Sequence, residues 1–80
     1  MGRILLIDDD TSLREVVRFI LDEAGHEVLT AADGEAGLAL LDREPDLVIS
    51  DIRMPGMDGM EVLARIREGA APPPGIMLTA

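Results

Sequence analysis

Residues 4–10 read Ile4-Leu5-Leu6-Ile7-Asp8-Asp9-Asp10, and residues 47–51 read Leu47-Val48-Ile49-Ser50-Asp51. Each opens as a short apolar run without polar alternation, the pattern of a strand buried on both faces of a sheet. Each run ends in aspartate. In open α/β sheets, ligands bind outside the carboxyl ends of the strands, where the strand order reverses. If these two strands are neighbours, Asp8, Asp9 and Asp51 meet at that place. Carboxylates at such short range resist ionising together unless a cation neutralises them. The pattern therefore points to a site for a hard metal ion built round a reactive aspartate.

Outward from these runs, strands and helices alternate. The first strand is residues 4–8. A helix follows from Thr11 to Ala24, with Leu13, Val16, Val17, Ile20, Leu21 and Ala24 at helical spacing on one face. Ser12 with Glu15 three positions on forms a capping-box pattern at its start, Asp10 reads as a capping or solvated acid, and Gly25 is a natural stop. Glu27–Thr30 is a short second strand. Asp33 caps a second helix running to about Arg43, with Ala36, Leu38, Ala39, Leu40 and Leu41 as its apolar positions, and Pro45 ends the connection. Residues 47–51 are the third strand. Asp58 belongs to the turn ahead of a third helix, Met60–Glu68, whose Val62, Leu63 and Ile66 face inward; Pro55 and Gly59 shape the intervening loop. Gly69–Gly75 contains Pro72-Pro73-Pro74 and is irregular, and Ile76–Thr79 is a fourth strand.

Such alternation predicts an α/β fold, a doubly wound parallel sheet with right-handed crossovers. The order 2-1-3-4, the flavodoxin-like one, is the arrangement that sets the first and third strands side by side and brings Asp8 and Asp9 next to Asp51.

Composition narrows the function classes. Eighty residues make one small domain, and seven arginines without a lysine stand against 16 acids, a net charge of −9. That balance argues against nucleic-acid contact by this segment; most of the acidity reads as solvated surface. There is no cysteine, hence neither disulfide nor thiolate site. The apolar stretch after Met1-Gly2-Arg3 is too short for a signal peptide or a membrane span. A cytoplasmic location is expected. His26, at a strand entrance, reads as a surface or structural residue, and Met54, Met57, Met60 and Met77 read as packing residues.

The segments LLIDDD, SDIRMPGMDG and IMLTA, in this order, resemble the receiver domain of bacterial two-component response regulators, most of all those of nitrogen-regulation-type transcription activators. The resemblance covers essentially the whole chain. It implies that Asp51 is the phosphoacceptor, taking a phosphoryl group from the phosphohistidine of a sensor histidine kinase. It makes Asp9 a direct Mg²⁺ ligand, Asp8 an acid acting through metal-bound water, and the backbone carbonyl of Arg53 the third protein ligand. Thr79 matches the switch hydroxyl and Ala80 the small residue that leaves room for the phosphodonor. The chemistry agrees: Mg²⁺ takes oxygen ligands and keeps several waters, and phosphoryl transfer is largely positioning and charge neutralisation. The resemblance implies a signalling switch rather than an enzyme.

Receivers continue with a helix, a fifth strand bearing a lysine, and a last helix, none of which is present. The chain is therefore expected to be the N-terminal portion of a receiver, residues 1–80, from a longer regulator, and to associate with itself through an uncovered sheet face or edge. Two rival readings use the same residues. One is an interaction or dimerisation module without phosphotransfer. The other is a Mg²⁺-dependent phosphohydrolase with Asp51 as nucleophile, weakened by the lack of a second general acid in the loop after Asp51.

Overall fold

The two apolar runs form the middle of one parallel sheet. The computed structural model describes residues 2–78. In chain order the elements are β1 (Arg3–Ile7), α1 (Thr11–Glu23), β2 (Glu27–Ala31), α2 (Gly34–Ala39), a 3-10 turn (Leu40–Arg43), β3 (Leu47–Asp51), α3 (Gly59–Arg67) and β4 (Gly75–Leu78). The sheet order is β2-β1-β3-β4 with every neighbouring pair parallel, the flavodoxin-like order expected. Ile7 stands opposite Ser50, so Asp8, just past β1, and Asp51, the last residue of β3, come side by side at the carboxyl edge of the sheet. β4 begins at Gly75, one residue before the expected start; the expected end of that strand, Thr79, lies with Ala80 outside the described residues.

Side chains alternate across the strands and build a core on each face of the sheet. Leu5, Ile7 and Val48 pack with Ala31, Met54, Val62 and Ile66 on the side of α2 and α3. Ile4, Leu6 and Ile49 pack on the other side with Val17 and Leu21 of α1. Each such side chain, fully buried, contributes about 1.5–3 kcal/mol.

All three helices start on aspartate. Asp10, Asp33 and Asp58 accept hydrogen bonds from the main-chain N–H groups of Leu13, Ala36 and Glu61 at 3.1, 2.8 and 2.9 Å. The Ser12–Glu15 capping box is not formed. Thr11 is already helical, so the cap falls on Asp10, and Glu15 pairs instead with Arg18 at 3.1 Å. The second helix tightens after Ala39 instead of running regularly to Arg43. It ends at Glu44, whose φ of 56° is left-handed, because the residue before Pro45 cannot continue a helix.

Two apolar faces differ from expectation. In α2, Ala36 and Ala39 are exposed while Gly34 and Gly37 are buried. A side chain at Gly37 would run into Cδ1 of Ile7, so the close contact of helix and sheet is made by a residue with no hydropathy signal. In α1 the apolar arc is wider than its contact with the sheet. Val17 and Leu21 meet the core, whereas Leu13, Val16, Phe19 and Ile20 are 43, 57, 60 and 58% exposed. Met60 is likewise exposed, while Met54 is buried and Met57 packs against the core.

The capping difference has a direct test. Asp10→Ala is expected to lower stability by about 1 kcal/mol, and Ser12→Ala to change it by less than about 0.5 kcal/mol. Urea unfolding followed by circular dichroism measures both, and the reverse ranking would reject the cap assignment.

Candidate functional site

Asp8 is the residue immediately after β1 and is completely buried. Its main-chain N–H donates to the Ala31 carbonyl at 3.1 Å, continuing the β1–β2 pairing one step beyond the strand. Its Oδ1 accepts from the Asp10 N–H at 2.9 Å. Its Oδ2 is buried without a hydrogen-bond partner. Asp9 is exposed and Asp51 is half-buried, and one carboxylate oxygen from each of the three acids lies within 4.8 Å of the others. Burial pushes the Asp8 carboxyl above its ordinary range. The Asp10 N–H opposes that rise, and the nearby charges of Asp51, Asp9 and Asp10 add to it.

An orphaned buried oxygen beside two further carboxylates is a mismatch that a cation removes. The donor set is all oxygen and one side of it faces solvent, which fits a small hard cation that retains water. Nothing soft or nitrogenous stands in the set. The residues present therefore fit Mg²⁺.

The loop after Asp51 is shaped by backbone constraints. The Arg53 N–H donates to Asp51 Oδ1 at 3.4 Å, while the Arg53 side chain is exposed. Gly56 takes a φ of 79°, which Pro55 before it sets up in a tight turn. Gly59 closes the loop: its N–H donates to the Ile52 carbonyl at 2.9 Å. A Cβ there would collide with the carbonyl oxygen of Asp51 and lie 3.0 Å from Ile52 Cα. Only glycine fits this approach.

Asp8, Asp9, Asp51 and the Arg53 main chain are thus brought together as the sequence suggests. Thr79 and Ala80 lie outside the described residues. His26 stands apart; its Nδ1 accepts from the Gly2 N–H at 3.3 Å, a structural role. Two contributors went unread in the sequence. The hydroxyl of buried Ser50 donates to the Asp51 carbonyl at 3.0 Å. Nη1 of Arg14 donates to the Asp8 carbonyl at 2.7 Å. The signal for Arg14 was its place in the first turn of α1, because long helical side chains point back toward the helix start.

Together the 2-1-3-4 sheet and three acids at its switch point define a flavodoxin-like domain with a site for a hard cation. Comparison with known proteins makes this specific. Residues 4–80 match the family described as the response regulator receiver domain. The chain is 47% identical over its whole length to the transcriptional regulatory protein AfsQ1 of Streptomyces coelicolor, of which it spans 36%. It is 46% identical over 99% of its length to the transcriptional regulatory protein GlrR of Escherichia coli K12, of which it spans 18%. Among solved structures, TrrA of Thermotoga maritima in complex with Mg²⁺-BeF superposes with a TM-score of 0.93 at 43% identity, over 100% of this chain and 70% of that one. This chain belongs to the response regulator receiver domain family. It spans 36% and 18% of the length of these two curated relatives.

Because the folded chain holds the Asp8 proton to higher pH than the unfolded chain does, stability falls as pH rises from the ordinary carboxylate range through the raised value. Asp8→Asn is therefore expected to raise the cation-free Tm by several degrees at neutral pH. At about pH 3, where the carboxyl is protonated in both states, the gain should vanish. Thermal unfolding in chelator at both pH values checks this; an equal shift at both would reject it.

Proposed function

We propose that this chain is the phosphoaccepting part of a two-component signalling switch, loaded on Asp51 by a partner sensor histidine kinase with Mg²⁺ present. The single observation that carries the reading is the meeting of Asp8, Asp9 and Asp51, with Asp8 Oδ2 buried and unpartnered, on a receiver fold. An Asp51 carboxylate oxygen forms the new bond to phosphorus as the P–N bond of the phosphohistidine breaks, and the imidazole leaves with a proton. Mg²⁺, when bound, neutralises the charge that otherwise keeps an anionic nucleophile from an anionic phosphoryl group.

Asp9 would hold the cation directly and Asp8 through bound water. The Arg53 carbonyl completes the set, a role supported by the Arg53 backbone running beside Asp51. Thr79 would supply the switch hydroxyl and Ala80 the space for the donor, both by resemblance. The acyl phosphate so formed adds charge and acceptor oxygens at one point, which is the local event a switch needs. We take residues 1–80 as part of one receiver domain of a cytoplasmic transcription regulator without nucleic-acid contact of its own. No helix among the described residues is long and apolar enough to cross a membrane.

Incubation with Mg²⁺ and acetyl phosphate is expected to add one phosphate to the intact mass. The gain should disappear in chelator and in Asp51→Asn. A folded sample that gains nothing would favour the rival interaction module, and steady turnover of a phosphate ester would favour the phosphohydrolase.

The exposed arc of α1 and the outer position of β4 favour a second copy of the chain as a further partner. Sedimentation velocity is then expected to show a coefficient that rises with concentration, and a constant monomer value would reject self-association.

A further inference from the structure

One cation is hydrogen-bonded to the acid-bearing end of β1, and it is aimed at a main-chain oxygen. Arg14, part-buried in the first turn of α1, donates from Nη1 to the Asp8 carbonyl at 2.7 Å. The side-chain ion pairs among the described residues are Arg3–Glu27, Arg18–Glu15 and Arg65–Glu61. Arg14 therefore pairs with none of the three site carboxylates, although three acids within 4.8 Å of one another are the strongest local attraction for a guanidinium. Held at the carbonyl, its guanidinium occupies none of the cluster's carboxylate oxygens.

The contact completes the fixation of Asp8. The N–H of this residue is bound to the Ala31 carbonyl, its carbonyl to Arg14, and its Oδ1 to the Asp10 N–H. Oδ2 alone remains unpartnered and buried, on a carboxylate that has an oxygen within 4.8 Å of one from Asp9 and one from Asp51. The Asp8 carbonyl belongs to the peptide that joins Asp8 to Asp9, so a bond at that oxygen sets the plane from which the Asp9 side chain departs.

We propose that Arg14 is a positioning residue for the divalent cation, holding the Asp8–Asp9 peptide so that both carboxylates are arranged before the cation arrives. The inference rests on the Mg²⁺ reading above. Charge and position pull in opposite directions here. A guanidinium acting only through its charge repels a cation, and its removal tightens binding. A guanidinium acting through position favours the cation, and its removal weakens binding, as the loss of partners that orient metal ligands does in general. If Arg14 merely fastens α1 to the sheet, its removal lowers the melting temperature and leaves the cation affinity of the folded chain unchanged.

Calorimetric titration of the 80-residue chain with Mg²⁺ and with Mn²⁺ separates these cases, with the fold of each variant checked by circular dichroism. Arg14→Met is expected to weaken both affinities roughly tenfold. Arg14→Lys, which keeps a charged donor, is expected to restore most of the loss. Should Arg14→Met fail to fold, Arg14→Gln is read in its place, since it also removes the charge and shortens the reach. Unchanged or tighter binding in the neutral variant, or no recovery with lysine, overturns the inference while the cation site stands. No binding by the unaltered chain overturns the cation reading and the inference with it.

Discussion

Parallel pairing of β1 with β3 is the constraint on which the rest of this domain depends. The register that sets Ile7 against Ser50 buries apolar side chains on both faces of the sheet. The same register delivers Asp8 and Asp51 to one edge. A slip by one residue would exchange the two faces and pull the acids apart. Core packing and the acid site are therefore set by one choice of pairing, and the hydrophobic contribution of Leu5, Leu6, Ile7 and Val48 works against the repulsion of the carboxylates.

The site is electrostatically unfavourable by itself. Asp8 combines full burial, one unpartnered oxygen and two acidic neighbours. Groups of that kind destabilise a fold unless something binds them, and they collect where function requires them. In a chain of this size the margin for such a defect is small. A cation at such a site would remove that cost, and it would do so at one place.

Much of this was legible because it is written in periodicity. Buried strands show as unbroken apolar runs, helices as a repeat of three to four, and the strand order is the one that joins Asp8 to Asp51. What escaped has specific causes. The sequence offers both Asp10 and the Ser12–Glu15 pair at the start of α1, and only the helical backbone of Thr11 decides for Asp10. The inward face of α2 is carried by Gly37, whose contribution is the absence of a side chain and leaves no mark in hydropathy. The apolar arc of α1 was visible, but the part of it that meets the sheet depends on the tilt of the helix. In the sequence Arg14 is one of seven arginines, and its bond to a main-chain oxygen has no counterpart in a pattern of charges. Thr79 and Ala80 rest on resemblance.

The closure at Gly59 gives the loop that follows Asp51 a modular character. The first residue of α3 sits against the Asp51 carbonyl, and its N–H is tied to Ile52. Strand and helix therefore meet at a neck, and residues 53–58 hang from it as a cassette. Met54 anchors the cassette in the core, whereas Arg53, Pro55 and Gly56 project outward. Arg53 and Pro55 can be exchanged without shifting the strand that carries Asp51 or the helix that begins at the neck, whereas Gly56 is held to glycine by its positive φ. Evolution and engineering can thus retune what surrounds the aspartate while its place in the scaffold stays fixed.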